Sequence, residues 1–154
     1  MKVLLVYDTF SSMRLTEKVA EAISNVLKEA RIEVDSFFVK NVDKATLKNY
    51  DCVLVGAPTM AFRASKDIMQ FLDSINSKEF SGKLVASFGT QIQWRLSGSA
   101  SKGIETTLKD LGFKSAAAPL ITYVEGKRDD MQLKEGELEK AENWAKAIVD
   151  MLQK

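Results

Sequence analysis

Histidine is absent from the 154 residues, and cysteine occurs once, as Cys52. The first absence excludes Ser-His-Asp triads, histidine-ligated zinc and haem held by histidine. The second excludes an intrachain disulfide and a thiolate metal cluster. Cys52 lies in the apolar run Cys52 to Val55 and reads as a small buried hydrophobe. A dominant charge of one sign is lacking too. Twenty-two Lys and Arg against 21 Asp and Glu leave a formal charge of +1. No global field therefore points to nucleic acid or an anionic membrane, and recognition has to be local. No apolar stretch approaches the roughly 20 residues that span a bilayer as a helix. The run Val3 to Tyr7 is broken by Asp8 and followed by no small-residue cleavage site, so a cytoplasmic location is expected.

Glycine is missing where nucleotide motifs need it. Neither Gly-x-Gly-x-x-Gly after the first apolar run nor Gly-Lys-Ser/Thr occurs, which excludes a Rossmann dinucleotide turn and a Walker loop. A phosphorylation receiver needs an aspartate at the end of its third strand, where this chain has Gly56, Ala57 and Pro58.

What is present is globular. Hydrophobic residues make up 45% and charged residues 28%, far from the signature of disorder. The length suits one domain over residues 1–154. Val3 to Tyr7, Cys52 to Gly56 and Leu84 to Gly89 are short apolar runs closed by turn-prone residues, as parallel strands covered on both faces should be. Each precedes a helical pattern: Val19, Ile23, Val26 and Ala30; then Ile68, Phe71, Leu72 and Ile75; then Ile104, Leu108 and Leu111, with Gly112 as a stop. Ile32 to Val39 alternates as an edge strand does, and Asp43 is placed to cap a short helix leading to Leu47. Ala116 to Val124 reads as a fifth strand, with Pro119 arguing for the other edge. Leu138, Ala141, Ala145, Ile148 and Leu152 form a last apolar stripe, and Trp144 reads as core. Strict alternation with right-handed crossovers predicts an α/β fold: a doubly wound five-stranded parallel sheet in the order 2-1-3-4-5, with helices on both faces. Its switch point falls between strands one and three, and ligands bind outside the carboxyl ends there.

Three loops should share that rim: Asp8 to Leu15, Ala57 to Ser65 and Thr90 to Ser101. The first brings Thr9, Ser11, Ser12 and Thr16 to a helix N-terminus, a composition suited to phosphate. Arg14, Arg63 and Lys66 add positive charge, and Phe10 and Phe62 are candidate lids.

The words "VLLVYDT", "TEKVAEAI", "DCVLVGAPT", "FLDSI", "SGKLVASFGT" and "LKDLGF", in this order and spacing, resemble the flavodoxin family. The likeness includes the flavodoxin domain of flavodiiron proteins and extends through "PLITYVEGK" to "GELEKAENWAKAI". It implies FMN as cofactor, with phosphate contacts at Thr9, Ser11, Ser12 and Thr16. Ring contacts would come from Pro58, Thr59, Met60, Ala61, Phe88, Gly89, Thr90 and Trp94. It also implies electron transport between redox partner proteins. The first loop, "TFSSMRLT", departs from the family's Ser/Thr-x-Thr-Gly-x-Thr by two extra residues and by having no glycine. Three readings are therefore carried: an FMN-binding carrier, an FMN-dependent reductase of quinones or small acceptors, and a flavodoxin-like module that no longer binds FMN.

Overall fold

The computed structural model describes residues 1–9, 13–60, 63–75, 82–94, 98–127 and 130–154. Its strands are β1 (Lys2–Tyr7), β2 (Glu33–Phe38), β3 (Cys52–Met60), β4 (Arg63–Ala64), β5 (Leu84–Ile92), β6 (Lys114–Ser115), β7 (Leu120–Lys127) and β8 (Asp130–Leu133). The helices are α1 (Leu15–Glu29), α2 (Lys66–Asp73), α3 (Ala100–Asp110) and α4 (Glu137–Leu152). A 3-10 helix at Lys44–Asn49 begins where expected, its first turn capped by Asp43 through the Ala45 amide at 3.0 Å.

Strands with both faces covered can be apolar at every position. Val3, Leu4, Leu5 and Val6 are each fully buried. Alternate residues feed two cores. Leu4, Val6, Val53, Val55 and Val85 pack under α2 and α3, whereas Val3, Leu5, Cys52, Leu54 and Ala86 pack under α1 and α4.

The sheet runs β2-β1-β3-β5-β7-β8. Counting the five long parallel strands alone, this is the expected order, and their parallel pairing puts the carboxyl ends of β1, β3 and β5 at one end of the sheet. Two details differ from the sequence reading. The fifth strand starts at Leu120, so Pro119 precedes the ladder instead of sitting inside it. A proline without an N–H belongs just ahead of a strand as readily as on an edge. The edge itself is taken by β8, antiparallel to β7 from Val124↔Leu133 to Lys127↔Asp130, so the sheet is not purely parallel. In α4 the apolar stripe is narrower than read: Ala141, Ala145, Ile148 and Leu152 are buried, but Leu138 is exposed.

Candidate functional site

β3 and β5 run past the point at which they were expected to become loops. Ala57 to Met60 and Thr90 to Ile92 are strand, paired through Ala57↔Gly89 and Pro58↔Thr90. The second loop is correspondingly short, because β3 turns back at once through β4, with Thr59 opposite Ala64 and Met60 opposite Arg63. Gly89 permits this closeness, since a Cβ there would stand 2.8 Å from the Ala57 carbonyl oxygen. Gly56 is under the same pressure from the side, as a Cβ on it would overlap the Phe88 ring.

Beyond β1, the Asp8 amide donates to the Gly56 carbonyl at 3.1 Å. The Asp8 side chain is buried. One carboxylate oxygen accepts the Thr9 amide at 2.8 Å and the other accepts the Ser65 hydroxyl at 2.5 Å. A buried carboxylate is tolerated when its oxygens are hydrogen-bonded, and here the bonds tie the first loop to the start of α2. Neither residue was read as part of the site. The available signal was an acid directly after an apolar strand.

Arg14 holds the left-handed conformation at φ 51° immediately before α1 and carries no acceptor with which to cap it. Its guanidinium instead pairs with Glu17 at 2.5 Å, and Glu17 also accepts the Tyr7 hydroxyl at 2.8 Å. Burial first, then the bond to Glu17, pushes the Tyr7 hydroxyl up to about 12. The charge of Arg14 is thus spent on Glu17, and the helix dipole with its first-turn amides is what this end offers an anion.

Thr16 sits in that first turn, buried, with its hydroxyl 2.9 Å from the hydroxyl of Thr90 on β5. Two residues assigned from sequence to the phosphate and to the ring thus meet directly. In such a pair one hydroxyl donates and the other keeps its proton for a further acceptor. Thr9 is half-buried, its amide donating to Asp8. Thr59 accepts the Ala100 amide at 3.0 Å and so caps α3 from the second strand of the rim. Pro58 and Gly89 are buried, and Met60 is exposed. Phe88 is fully buried, edge-to-face with Trp144 at 6.2 Å, so only its backbone is near the rim. Trp144 was read as core but is half-buried and packs against it, its indole N–H donating to the Ala118 carbonyl at 2.7 Å. Ser11, Ser12, Ala61, Phe10 and Phe62 lie outside the described residues. Arg63 and Lys66 are exposed at the rim.

Trp94 is 57% exposed and lines a cavity of about 460 Å³ together with Gln91, Gln93, Gly98, Ser99, Lys102, Ile121 and Tyr123. Among the described residues no helix is long and apolar enough to cross a membrane.

The start of α1, which has no side-chain cap from Arg14, and the Thr16 hydroxyl in its first turn are donors of the kind a phosphate monoester takes. Next to it lie the ends of β3 and β5, with Pro58 paired to Thr90.

The family model for flavodoxin matches residues 9–153. No curated protein sequence matches the chain significantly. Among solved structures, a flavodoxin from the domain Archaea superposes with a TM-score of 0.79 at 20% identity, covering 100% of both chains. Flavodoxin 2 from Bacillus cereus gives a TM-score of 0.81 at 24% identity, over 97% of this chain and 99% of that one. Rubredoxin:oxygen oxidoreductase from Desulfovibrio gigas gives 0.78 at 22% identity, covering 99% of this chain and 36% of that protein.

Proposed function

Because the chain belongs to the flavodoxin family, we propose that it is an FMN-binding electron carrier, passing electrons between redox partner proteins. The observation that carries this reading is the contact between Thr16 at the N-terminus of α1 and Thr90 at the end of β5. It supports the reading because it joins a residue assigned to the phosphate to one assigned to the ring at the switch point of the sheet.

Thr9, Thr16 and the first-turn amides of α1 would hold the phosphate, with the helix dipole favouring its negative charge. Pro58, Thr59 and the backbone of Gly89 and Thr90 would border the ring. Bound there, FMN supplies one- or two-electron transfer, while the protein supplies position and electrostatics. Met60, Ile92 and Trp94 are three of the few exposed large hydrophobic residues, and all belong to this end of the sheet. They form an apolar margin against which a partner can exclude water.

The test is calorimetry with FMN and with riboflavin. FMN binds and riboflavin binds far more weakly, since the phosphate contacts dominate. Thr9→Ala and Thr16→Ala each weaken FMN by roughly 1 to 2 kcal/mol, the scale of a lost hydrogen bond to a charged group. Equal affinities for the two flavins would rule the assignment out. A protein that refuses both would be the module without FMN.

A further inference from the structure

We propose that the basic margin on the α2 and α3 side of the rim is a docking surface for an acidic protein, the redox partner that the carrier reading calls for. The inference rests on that reading and adds the charge of the partner.

The rim loops, taken with the helix starts they enter, run from Asp8 to Arg14, from Ala57 to Lys66 and from Thr90 to Lys102. They carry Arg14, Arg63, Lys66, Arg95 and Lys102, and one acid, Asp8. Asp8 is buried, with its oxygens on the Thr9 amide and the Ser65 hydroxyl, so it shows little charge to solvent. Five bases thus stand against one hidden acid in a chain whose total charge is only +1. The balance follows from residue identity and does not depend on the path each loop takes.

The fold gathers most of these charges on one face. α2 and α3 cover the same side of the sheet. Arg63 lies in β4, opposite Met60, and Lys66 opens α2. Lys102 sits in the first turn of α3, whose start is tied to the end of β3 by the Ala100 amide and the Thr59 hydroxyl. Lys40 and Lys44 join them from the stretch after β2, lining a groove against α2. All five side chains belong to exposed residues. Among the described residues Lys44, Arg63, Lys66 and Lys102 take part in no ion pair, and Lys40 pairs with Asp67 at 3.6 Å. Glu105 of α3 is turned away, to Lys109 and the Ser115 hydroxyl.

The exposed apolar residues lie among these bases: Met60 beside Arg63 in register, and Trp94 on the wall that Lys102 shares. An apolar centre inside a charged margin is how protein interfaces are built. Opposite charge on the partner speeds encounter and fixes its orientation. A charge of +1 over the whole chain gives no extended field of the kind that nucleic acid or an anionic bilayer selects, so an acidic protein suits the patch better.

The probes are a peptide of eight glutamates around one tryptophan, its lysine counterpart, and octathymidylate. Each is titrated into the protein while amide resonances are followed, and none needs the flavin. The glutamate peptide should bind with shifts centred on Met60, Arg63, Lys66, Ile92 and Lys102, and should weaken as salt rises. The lysine peptide should not bind. Arg63→Glu and Lys102→Glu, on separate elements, should each lower the affinity for the glutamate peptide about tenfold, equivalent to ~1.4 kcal/mol. In the reduced, FMN-loaded protein, stopped flow follows reoxidation by hexacyanoferrate(III), an anion, and by hexaammineruthenium(III), a cation, each taking one electron. The first rate should fall with salt and the second rise, and Arg63→Glu should diminish both trends. The proposal is overturned if the glutamate peptide does not saturate, if its shifts centre away from this margin, if octathymidylate binds more tightly, or if the two salt trends are reversed. A protein that takes the peptide but refuses FMN would end the carrier reading and leave the acidic-protein surface standing.

Discussion

Thr16 and Thr90 are 74 residues apart in the chain, and their hydroxyls link α1 to β5 at the rim. Because both are buried, removing one hydroxyl leaves the other without its partner, which costs about 1 to 3 kcal/mol. Thr16→Val and Thr90→Val should each lower stability by that amount in urea unfolding of the flavin-free protein. The double substitution should cost clearly less than the two added together, since it orphans no group. Strict additivity would show that the hydroxyls do not act on one another. Single residues also show what can be read locally and what cannot. The hydroxyl-rich stretch before α1 was visible as a phosphate-binding composition. That Thr16 spends its hydroxyl on Thr90, and that Asp8 reaches Ser65, depends on which strands become neighbours, and no local pattern encodes that.

At the scale of elements, the ends of the strands carry the information that periodicity does not. The interior runs from Val3 to Tyr7, Cys52 to Gly56 and Leu84 to Gly89 announce themselves by their hydrophobicity, whereas their extensions into Pro58–Met60 and Thr90–Ile92 are mixed in character and read as loop. The β8 edge is hidden for a similar reason, since "DMQL" is short and half polar. Its pairing turns on Gly126, which has φ 113° and no room for a side chain, because a Cβ would overlap the Asp130 carbonyl. Gly126→Ala should detach β8. Hydrogen exchange at Val124 to Lys127 should accelerate by more than it does at Val3 to Val6, which lie in the middle of the sheet. Uniform acceleration across both segments would mean that the edge hairpin and the core open together.

For the molecule as a whole, two phenols set how stability behaves at alkaline pH. Tyr50 donates to Asp35 of β2 at 2.7 Å, and its hydroxyl is pushed up to about 12, first by burial and then by that bond. Tyr7 is raised to about 12 as well, by burial and by Glu17. Below 10.0, the ordinary tyrosine value, both phenols are neutral in the folded and unfolded chain alike. Between that value and about 12 the unfolded chain loses these protons while the native protein keeps them. Stability therefore falls as pH rises through this window. Urea midpoints measured across it should decline, and Tyr50→Phe should make the decline shallower. An unchanged slope would mean that the phenol ionises equally easily in both states.

The sequence by itself determined the class of fold, the order of the five long parallel strands and the end of the sheet at which a ligand would sit. These follow from hydrophobic period, punctuation by turn residues and the handedness of crossovers, all of which are local or chiral constraints. It also narrowed the chemistry, because a chain without histidine and with one cysteine cannot build a histidine triad, a histidine-ligated metal site or an intrachain disulfide. Tertiary structure alone decided how the rim is assembled: Phe88 turned inward beneath Gly56, Arg14 neutralised by Glu17, and Trp94 left exposed at a cavity on the α3 side. Each outcome depends on the face to which a residue projects once its strand has a register, and register is fixed by packing across the sheet rather than by the residues on either side in the chain.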